Sequence, residues 1–388
     1  MVEFFIAFRH IVERKFQSIF SVLGVAIAVT VFIVSLTVSN GLEKNMINSL
    51  LTMSPHILIK NKQKTFFQNY SQIVNNIKKI QGVKAVIPQM NSQSIIRFEG
   101  FAKGVLANGI SPEDVKHGLN LKIVEGKDNI AELDSVLIGE QLAYEMRLKV
   151  GQQISLVSAE NKELKLIVRG IFKTGFLDYD SNLVVVPLET MQILAEQDTA
   201  ATEIGIKVDS PQKVETVLNQ VKNVVNQKEY GIISWKTINQ NLLSAVQFEK
   251  FVLIAILSLL LVIASFAVSV ILNMIVREKI KDIGILKSIG YTNKNIRRIF
   301  TIEGLIIGIF GMLLASGLSP LVLIGLKILF KAYIKNVTTY YLEELPLYIS
   351  QIELFVIYGV TLIVVFLSTI FPATRAARLK PVEALKYE

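Results

Sequence analysis

Four long apolar runs, each framed by charge, dominate the chain. The first extends from Phe16 to Leu42, between Lys15 and Glu43, and the second from Phe251 to Val276, between Lys250 and Arg277. The third follows Glu303, from Gly304 to Leu326, and the fourth covers Leu354 to Thr374, ended by Arg375. Each exceeds the roughly 18 uncharged, mainly apolar residues that a helix needs to cross a bilayer. One such run fits a buried helix of a soluble domain. Four predict four transmembrane helices. The first run has the basic flank of a secretory signal (Arg9, Arg14, Lys15), but it is longer than the usual apolar core of a signal and no small-x-small cleavage site follows. It reads as an uncleaved anchor.

Between the first two runs the texture changes. Segments rich in β-branched residues ("HILI", "SQSIIRF", "SVLIG", "QQISLVS", "KELKLIVRGIF", "NLVVVP", "TEIGIKV") alternate with turn formers and predict strands across residues 56–235. Helical patches intervene. In "SPQKVETVLNQVKNVVNQ", Ser210 can cap, Pro211 suits the first helical position, and Val214, Val217, Leu218, Val221 and Val225 share a face. The fold class is therefore a membrane protein of four transmembrane α-helices with a large mixed α/β domain between helices 1 and 2.

From Thr237 a helical pattern meets no proline or glycine until beyond Val276. About forty helical residues span roughly 60 Å, about twice the hydrocarbon thickness. Such a helix projects from the bilayer as a stiff stalk, so movement at Arg277 is felt at Trp235.

Composition agrees with a membrane protein: 51% of the 388 residues are apolar and 19% charged. Charge then supplies an orientation, because Lys and Arg accumulate in cytoplasmic loops. Arg9, Arg14 and Lys15 precede the first run, and Arg277, Lys279, Lys281, Lys287, Lys294, Arg297 and Arg298 separate the second from the third. The tail adds Arg375, Arg378, Lys380 and Lys386, whereas the loop near 335–353 sets Lys335 against Glu343, Glu344 and Glu353. Both termini are expected in the cytoplasm and the α/β domain outside. Over residues 41–248 the charges nearly cancel, 23 basic against 21 acidic. The net +9 is thus a topology signal and not a nucleic-acid footprint.

The resulting boundaries are a cytoplasmic amino-terminal segment (1–15), helix 1 (16–42), the outer domain (43–236), stalk plus helix 2 (237–276) and a cytoplasmic loop (277–298). Helix 3 (299–326), an outer loop (327–353), helix 4 (354–374) and a cytoplasmic tail (375–388) complete the chain.

Several chemistries are excluded or disfavoured. The chain has no cysteine, so thiolate metal sites and cysteine nucleophiles are absent. No G-x-x-x-x-G-K-[ST] phosphate loop occurs, and His10, His56 and His117 are scattered. Asp178 and Asp180 in "GFLDYDSN" alternate beside a turn, as solvated loop acids do, and no metal site is expected. The spans carry no ionisable residue deep inside, which disfavours an ion-coupled transporter. No catalytic set emerges, and the chain reads as a non-enzyme. Gly304, Gly308 and Gly311 in the third span, and Gly24 and Ala28 in the first, would allow close helix packing, although small residues are common in membrane helices generally. Gly317 and Pro320 are expected to bend the third span.

"REKIKDIGILKSIGYT", residues 277–292, is a basic patch between two membrane runs. Ile283, Leu286 and Ile289 recur every three residues, while Arg277 and Lys281 fall on another face. Gly290 is a helix stop, and Thr292 or Asn293 can cap a new helix carrying Ile296, Ile299 and Phe300. This pattern predicts a short amphipathic helix at the membrane surface. By periodicity alone, a positive-inside anchor or a helix lying on anionic lipid fits equally.

The stretch "REKIKDIGILKSIGYTNKNIRRIFTIEG" resembles the loop between the second and third spans of the ABC permease superfamily that includes the macrolide exporter and the cell-division permease. The tail "FPATRAARLKPVEALKYE" is similar to its carboxy terminus. Within that superfamily, "GVKAVIPQ", "NGISPED", "VLIGEQLA", "LKVGQQISL" and "RGIFKTGFLDYDSNLVVVPLETMQIL" resemble the lipoprotein-releasing (Lol-type) permease group, in order along the chain.

The resemblance implies that the patch is a coupling helix seated in a cleft of a separate ATP-binding subunit. That subunit would hold ATP and Mg, and this chain would need no cofactor. Arg277, Lys281 and Lys287 would orient on the ATPase while Ile283, Leu286 and Ile289 seat in its groove, with Gly284 and Gly290 in the same segment. A second permease, in a homo- or heterodimer, and a lipoprotein or other amphiphilic cargo are implied as partners. A periplasmic lipoprotein chaperone is a further implied partner. However, the group's chaperone-recruiting member carries an extended hook about where "SLVSAENKELKLIV" stands here, and this hairpin has only Ala159 to Lys162 for its turn. An exporter of peptides or small amphiphiles shares the architecture. A signalling scaffold that activates an external hydrolase is the alternative from another class.

Overall fold

The computed structural model describes residues 2–68, 70–119, 121–334 and 344–379. Lys335, Glu343, Lys380 and Lys386, with most of the expected tail, lie outside the described residues, as does the side chain of His117.

Helix α1 (Val2–Glu13) leads into α2 (Lys15–Met53). Then follow β1 (Ile57–Asn61), α3 (Ser71–Lys78), β2 (Val83–Phe98), β3 (Phe101–Ile110), α4 (Pro112–Gly118), β4 (Lys122–Gly126) and β5 (Ser135–Gly139). Next come α5 (Glu140–Met146), β6 (Gln153–Ser158), β7 (Glu163–Lys173), α6 (Leu177–Asn182), β8 (Leu183–Pro187), α7 (Leu188–Ala195) and β9 (Glu203–Val208). After α8 (Val214–Val224) and β10 (Tyr230–Ser234) the chain is helical again: α9 (Trp235–Ile238), α10 (Gln240–Glu278), α11 (Ile280–Ser288), α12 (Asn293–Ile334) and α13 (Gln351–Ala377). The chain divides into two compact units, residues 45–244 and the remainder.

In the discontinuous unit, the four helices containing the apolar runs are long and apolar enough to cross a membrane. Their shared core includes Val29 and Phe32 of α2, Leu261 and Leu272 of α10, Phe300 and Ile307 of α12, and Val365 of α13. Lipid supplies no hydrophobic drive for helices to associate, so close approach and polar ties must hold them. Such ties gather near the start of α13. Ser350 and Glu353 form a capping box, Asn40 Nδ2 donates to both Glu353 carboxylate oxygens (3.1 and 3.0 Å), and Lys250 Nζ lies 3.5 Å from Glu43 and 3.8 Å from Glu353. Gly41 admits the segment before α13, since a Cβ there would overlap the Pro346 carbonyl.

Residues 45–244 form the β-rich unit. Strands β10, β1, β9 and β2 make an antiparallel sheet, against which α3 and α8 bury Val74, Ile77, Val217 and Val221. The face predicted for the second helix is the one buried, although its first turn, Pro211–Lys213, is 3-10 and Ser210 does not cap it. Beyond β2 the pairing turns back on itself. β2 pairs β3, β3 runs parallel to β8, β8 pairs β5, β5 runs parallel to β7, β7 pairs β6, and β6 returns to β2. This ring of six strands is closed, with Ile96, Val105, Ile138, Leu156, Val168 and Val184 in its core.

Two expectations change in detail. The helix expected to run unbroken from Thr237 is interrupted at Asn239 (φ −103°, ψ 24°), whose Nδ2 donates to Trp235 O at 2.8 Å. Asp180 is no solvated loop acid. It is fully buried and accepts from Thr174 N (2.7 Å), Thr174 Oγ1 (2.9 Å) and Gly175 N (3.2 Å), while burial pushes its carboxyl up from the usual range.

Candidate functional site

The stretch 277–292 folds as the end of α10, a turn at Lys279, helix α11 and a second turn at Gly290 (φ +103°). Glycine suits that left-handed turn, and Thr292 Oγ1 then accepts from Asn295 N at 3.4 Å at the start of α12.

Helix α11 has two apolar faces. Ile283 is 2% exposed, Gly284 is buried, and both Ile283 and Leu286 join the core of the helical unit. Lys287, on the same side, donates from Nζ to Ala377 O and Leu379 O, each at 2.6 Å. Burial lowers its ammonium pKa. It thereby satisfies carbonyls that α13 leaves open at its end. Lys281, Ile285 (52% exposed) and Ile289 (70% exposed) lie outward, spaced by four residues, and Arg277 and Gly290 are also exposed. Ile285 is outward although it lies outside the Ile283–Leu286–Ile289 repeat.

The amino-terminal helix packs beside this segment. Lys279 Nζ lies 2.9 Å from Glu13 Oε2 and 3.0 Å from Asp282 Oδ2, and Arg14 pairs with Glu278. The bonds from Lys279 and then Arg9 hold the Glu13 carboxyl down at about 2, and the bond to Glu13 raises Lys279. Deeper, His10 Nδ1 stands 3.5 Å from Glu303 Oε2. Glu303 is fully buried, so this acid at the edge of an apolar run belongs to the interior of the helical unit. Its other oxygen has no partner among the described residues.

The glycines differ in what surrounds them. A Cβ at Gly304 would overlap the Thr369 methyl, one at Gly308 would lie 3.0 Å from Val365 Cγ1, and one at Gly311 would lie 2.8 Å from Val25. Ala28 is 3% exposed. A Cβ at Gly24 would have nothing within 4 Å.

Residues 18–224 match the family described as MacB-like periplasmic core domain, and residues 254–381 match the FtsX-like permease C-terminal domain. The lipoprotein-releasing system transmembrane protein LolC of Neisseria meningitidis serogroup B is 26% identical over 417 residues, covering 100% of this chain and 99% of that one. The lipoprotein-releasing system transmembrane protein LolE of Haemophilus influenzae is 25% identical over 396 residues, covering 94% of this chain and 93% of that one. Among solved structures, the periplasmic region of MacB from Actinobacillus actinomycetemcomitans aligns with 51% of this chain and 97% of that one, at 15% identity and a TM-score of 0.36.

Proposed function

We infer the function from one premise: this chain belongs to the family of the MacB-like periplasmic core domain, here followed by an FtsX-like permease domain. It is a multi-pass ABC permease. We propose that it releases lipoproteins from the outer leaflet of the bacterial inner membrane, driven by ATP hydrolysis on a separate subunit that holds ATP and Mg. Both termini and α11 then face the cytoplasm, and residues 45–244 face the periplasm.

Energetics explain why such a chain needs an ATPase. Each buried acyl CH₂ contributes about 0.8 kcal/mol, so drawing three long chains into water costs on the order of 30 kcal/mol. Release needs nucleotide energy and an apolar shelter. Two permeases, as a homo- or heterodimer, would supply that shelter between their first spans. Closure of the ATPases would push on α11.

The observation that carries the coupling is the division of α11. Its Ile283–Leu286–Lys287 side is bound into the helical unit, leaving Lys281, Ile285 and Ile289 outward for an ATPase groove. The cargo rests on relatives named as lipoprotein-releasing proteins that align over nearly the whole chain. The turn between β6 and β7 is confined to residues 159–162, so a chaperone recruited by an extended hook would bind the partner permease and not this hairpin. Depletion of the chain from its host tests the function: lipoproteins are expected to accumulate in the inner-membrane fraction. Unchanged distribution contradicts it.

A further inference from the structure

Strand β9 is buried along its whole length, yet it carries a lysine. Lys207 is 7% exposed. Its Nζ donates to Leu51 O (2.7 Å), Thr52 O (3.2 Å) and Ser54 O (2.7 Å). These carbonyls belong to the last turn of α2 and the residue beyond it, where a helix leaves acceptors unmatched and its dipole is negative. All of these residues lie within the 45–244 unit.

The surroundings hold the same few residues. His56 N donates to Ile206 O, and Val208 N donates to His56 Nδ1, both at 2.9 Å. The Ser54 and Tyr179 hydroxyls are bonded to each other. Leu51 is buried in one apolar core of this unit and Met53 in another. A buried ammonium bonded only to neutral carbonyls is an expensive way to fill space, since methionine would occupy a similar volume without a charge to desolvate. What the ammonium adds is direction. Three bonds tie the end of one helix to one position of the strand hydrogen-bonded to both β1 and β2.

We propose that Lys207 is a positioning residue for transmission, passing displacement of α2 into the sheet through β9 and preventing the last helical turn from slipping along it. Helix α2 is continuous from Lys15 to Met53, so a shift in its apolar stretch arrives at residues 51–54. This inference rests on the reading that ATP hydrolysis at the cytoplasmic face performs work on the outer domain.

The test uses the whole chain with its ATPase subunit in proteoliposomes and reads ATP hydrolysis and lipoprotein release separately. Lys207→Met is expected to hydrolyse ATP at the wild-type rate while releasing about tenfold less cargo per ATP. Lys207→Arg, which keeps donors for the carbonyls, is expected to recover part of the release. Wild-type release per ATP in Lys207→Met overturns the proposal. If that variant fails to fold, hydrogen exchange on the wild-type complex decides. Nucleotide is expected to change protection at residues 51–56 and 205–208 together; a change in one segment alone, or in neither, overturns the proposal. A wild-type complex that releases no lipoprotein defeats the cargo reading instead, and the exchange measurement still decides the role of Lys207.

Discussion

Lys287 Nζ lies 2.6 Å from the carbonyl oxygen of Ala377, and thereby ties the short helix α11 to the end of the fourth span. The same ammonium reaches Leu379 O at 2.6 Å. Lys287→Met leaves both carbonyls to water and is expected to cost about 1 kcal/mol, because the site is only half-buried. ATP-stimulated release is expected to fall further than thermal stability does. Parallel measurements of melting and release check this, and an unchanged release rate contradicts it.

The two faces of α11 predict opposite phenotypes for one substitution. Ile283→Asp places a carboxylate in the core of the helical unit and is expected to cost more than about 3 kcal/mol, seen as lost expression or melting. Ile289→Asp acts on an exposed side chain and should leave stability within about 0.5 kcal/mol. It should instead abolish co-purification with the ATPase subunit. Retained co-purification by Ile289→Asp would remove the outward face from the docking surface.

Gly304 and Gly24 provide a similar contrast in the spans. Gly304→Ala drives a methyl into Thr369 and is expected to destabilise the chain by about 1–3 kcal/mol. Gly24→Ala meets open space within this chain and should be neutral in a monomer. Unfolding in detergent distinguishes the two. Equal effects contradict the packing described here.

Particular residues show what the sequence discloses and what it hides. β-branched runs mark β1, the end of β2, β5, β6, β7, β8 and β9, and the composition is most uniform in β5 and β8, which are buried along their whole length. Strand β3, "FAKGVLANGI", gave no such signal. Its glycines and asparagine weaken local propensity, and pairing with β2 along its whole length supplies what is missing. Gly109 is required there, since a Cβ would stand 2.6 Å from Met191 Cγ. Closure of the barrel through β2 and β6 joins residues 94–97 to 155–158, a long-range pairing that no local pattern encodes. The 277–292 segment is legible as a short helix followed by a glycine turn. Which face points inward is not, because Ile283, Ile285 and Ile289 put isoleucine on both sides. Glu303 was hidden for a related reason: an acid at the edge of an apolar run looks like a boundary until a neighbouring helix covers it.

His56 makes the β-rich unit sensitive to acid. Burial, with Lys207 beside it, pulls the imidazole from 6.5 down to about 4, and Nδ1 must be unprotonated to accept from Val208 N. The unfolded chain therefore binds a proton that the folded chain refuses between pH 6.5 and 4. Stability is fully present above pH 6.5 and falls as pH drops through that window, by about 3 kcal/mol. Lys207, pulled down to about 7, is charged in both states below about pH 6 and adds slope only at the upper edge of that window. His56→Asn, which keeps an acceptor without a proton to gain, is expected to flatten the pH dependence of unfolding between 6.5 and 4. A variant with the wild-type slope contradicts the assignment.

Release itself tests the proposed function most directly. The chain and its ATPase subunit are reconstituted into liposomes carrying a triacylated lipoprotein, and soluble lipoprotein is measured with an acceptor chaperone present. Release is expected with ATP, and none without nucleotide or with Ile289→Asp. No release with ATP, by a complex that hydrolyses it, would contradict lipoprotein release as the function.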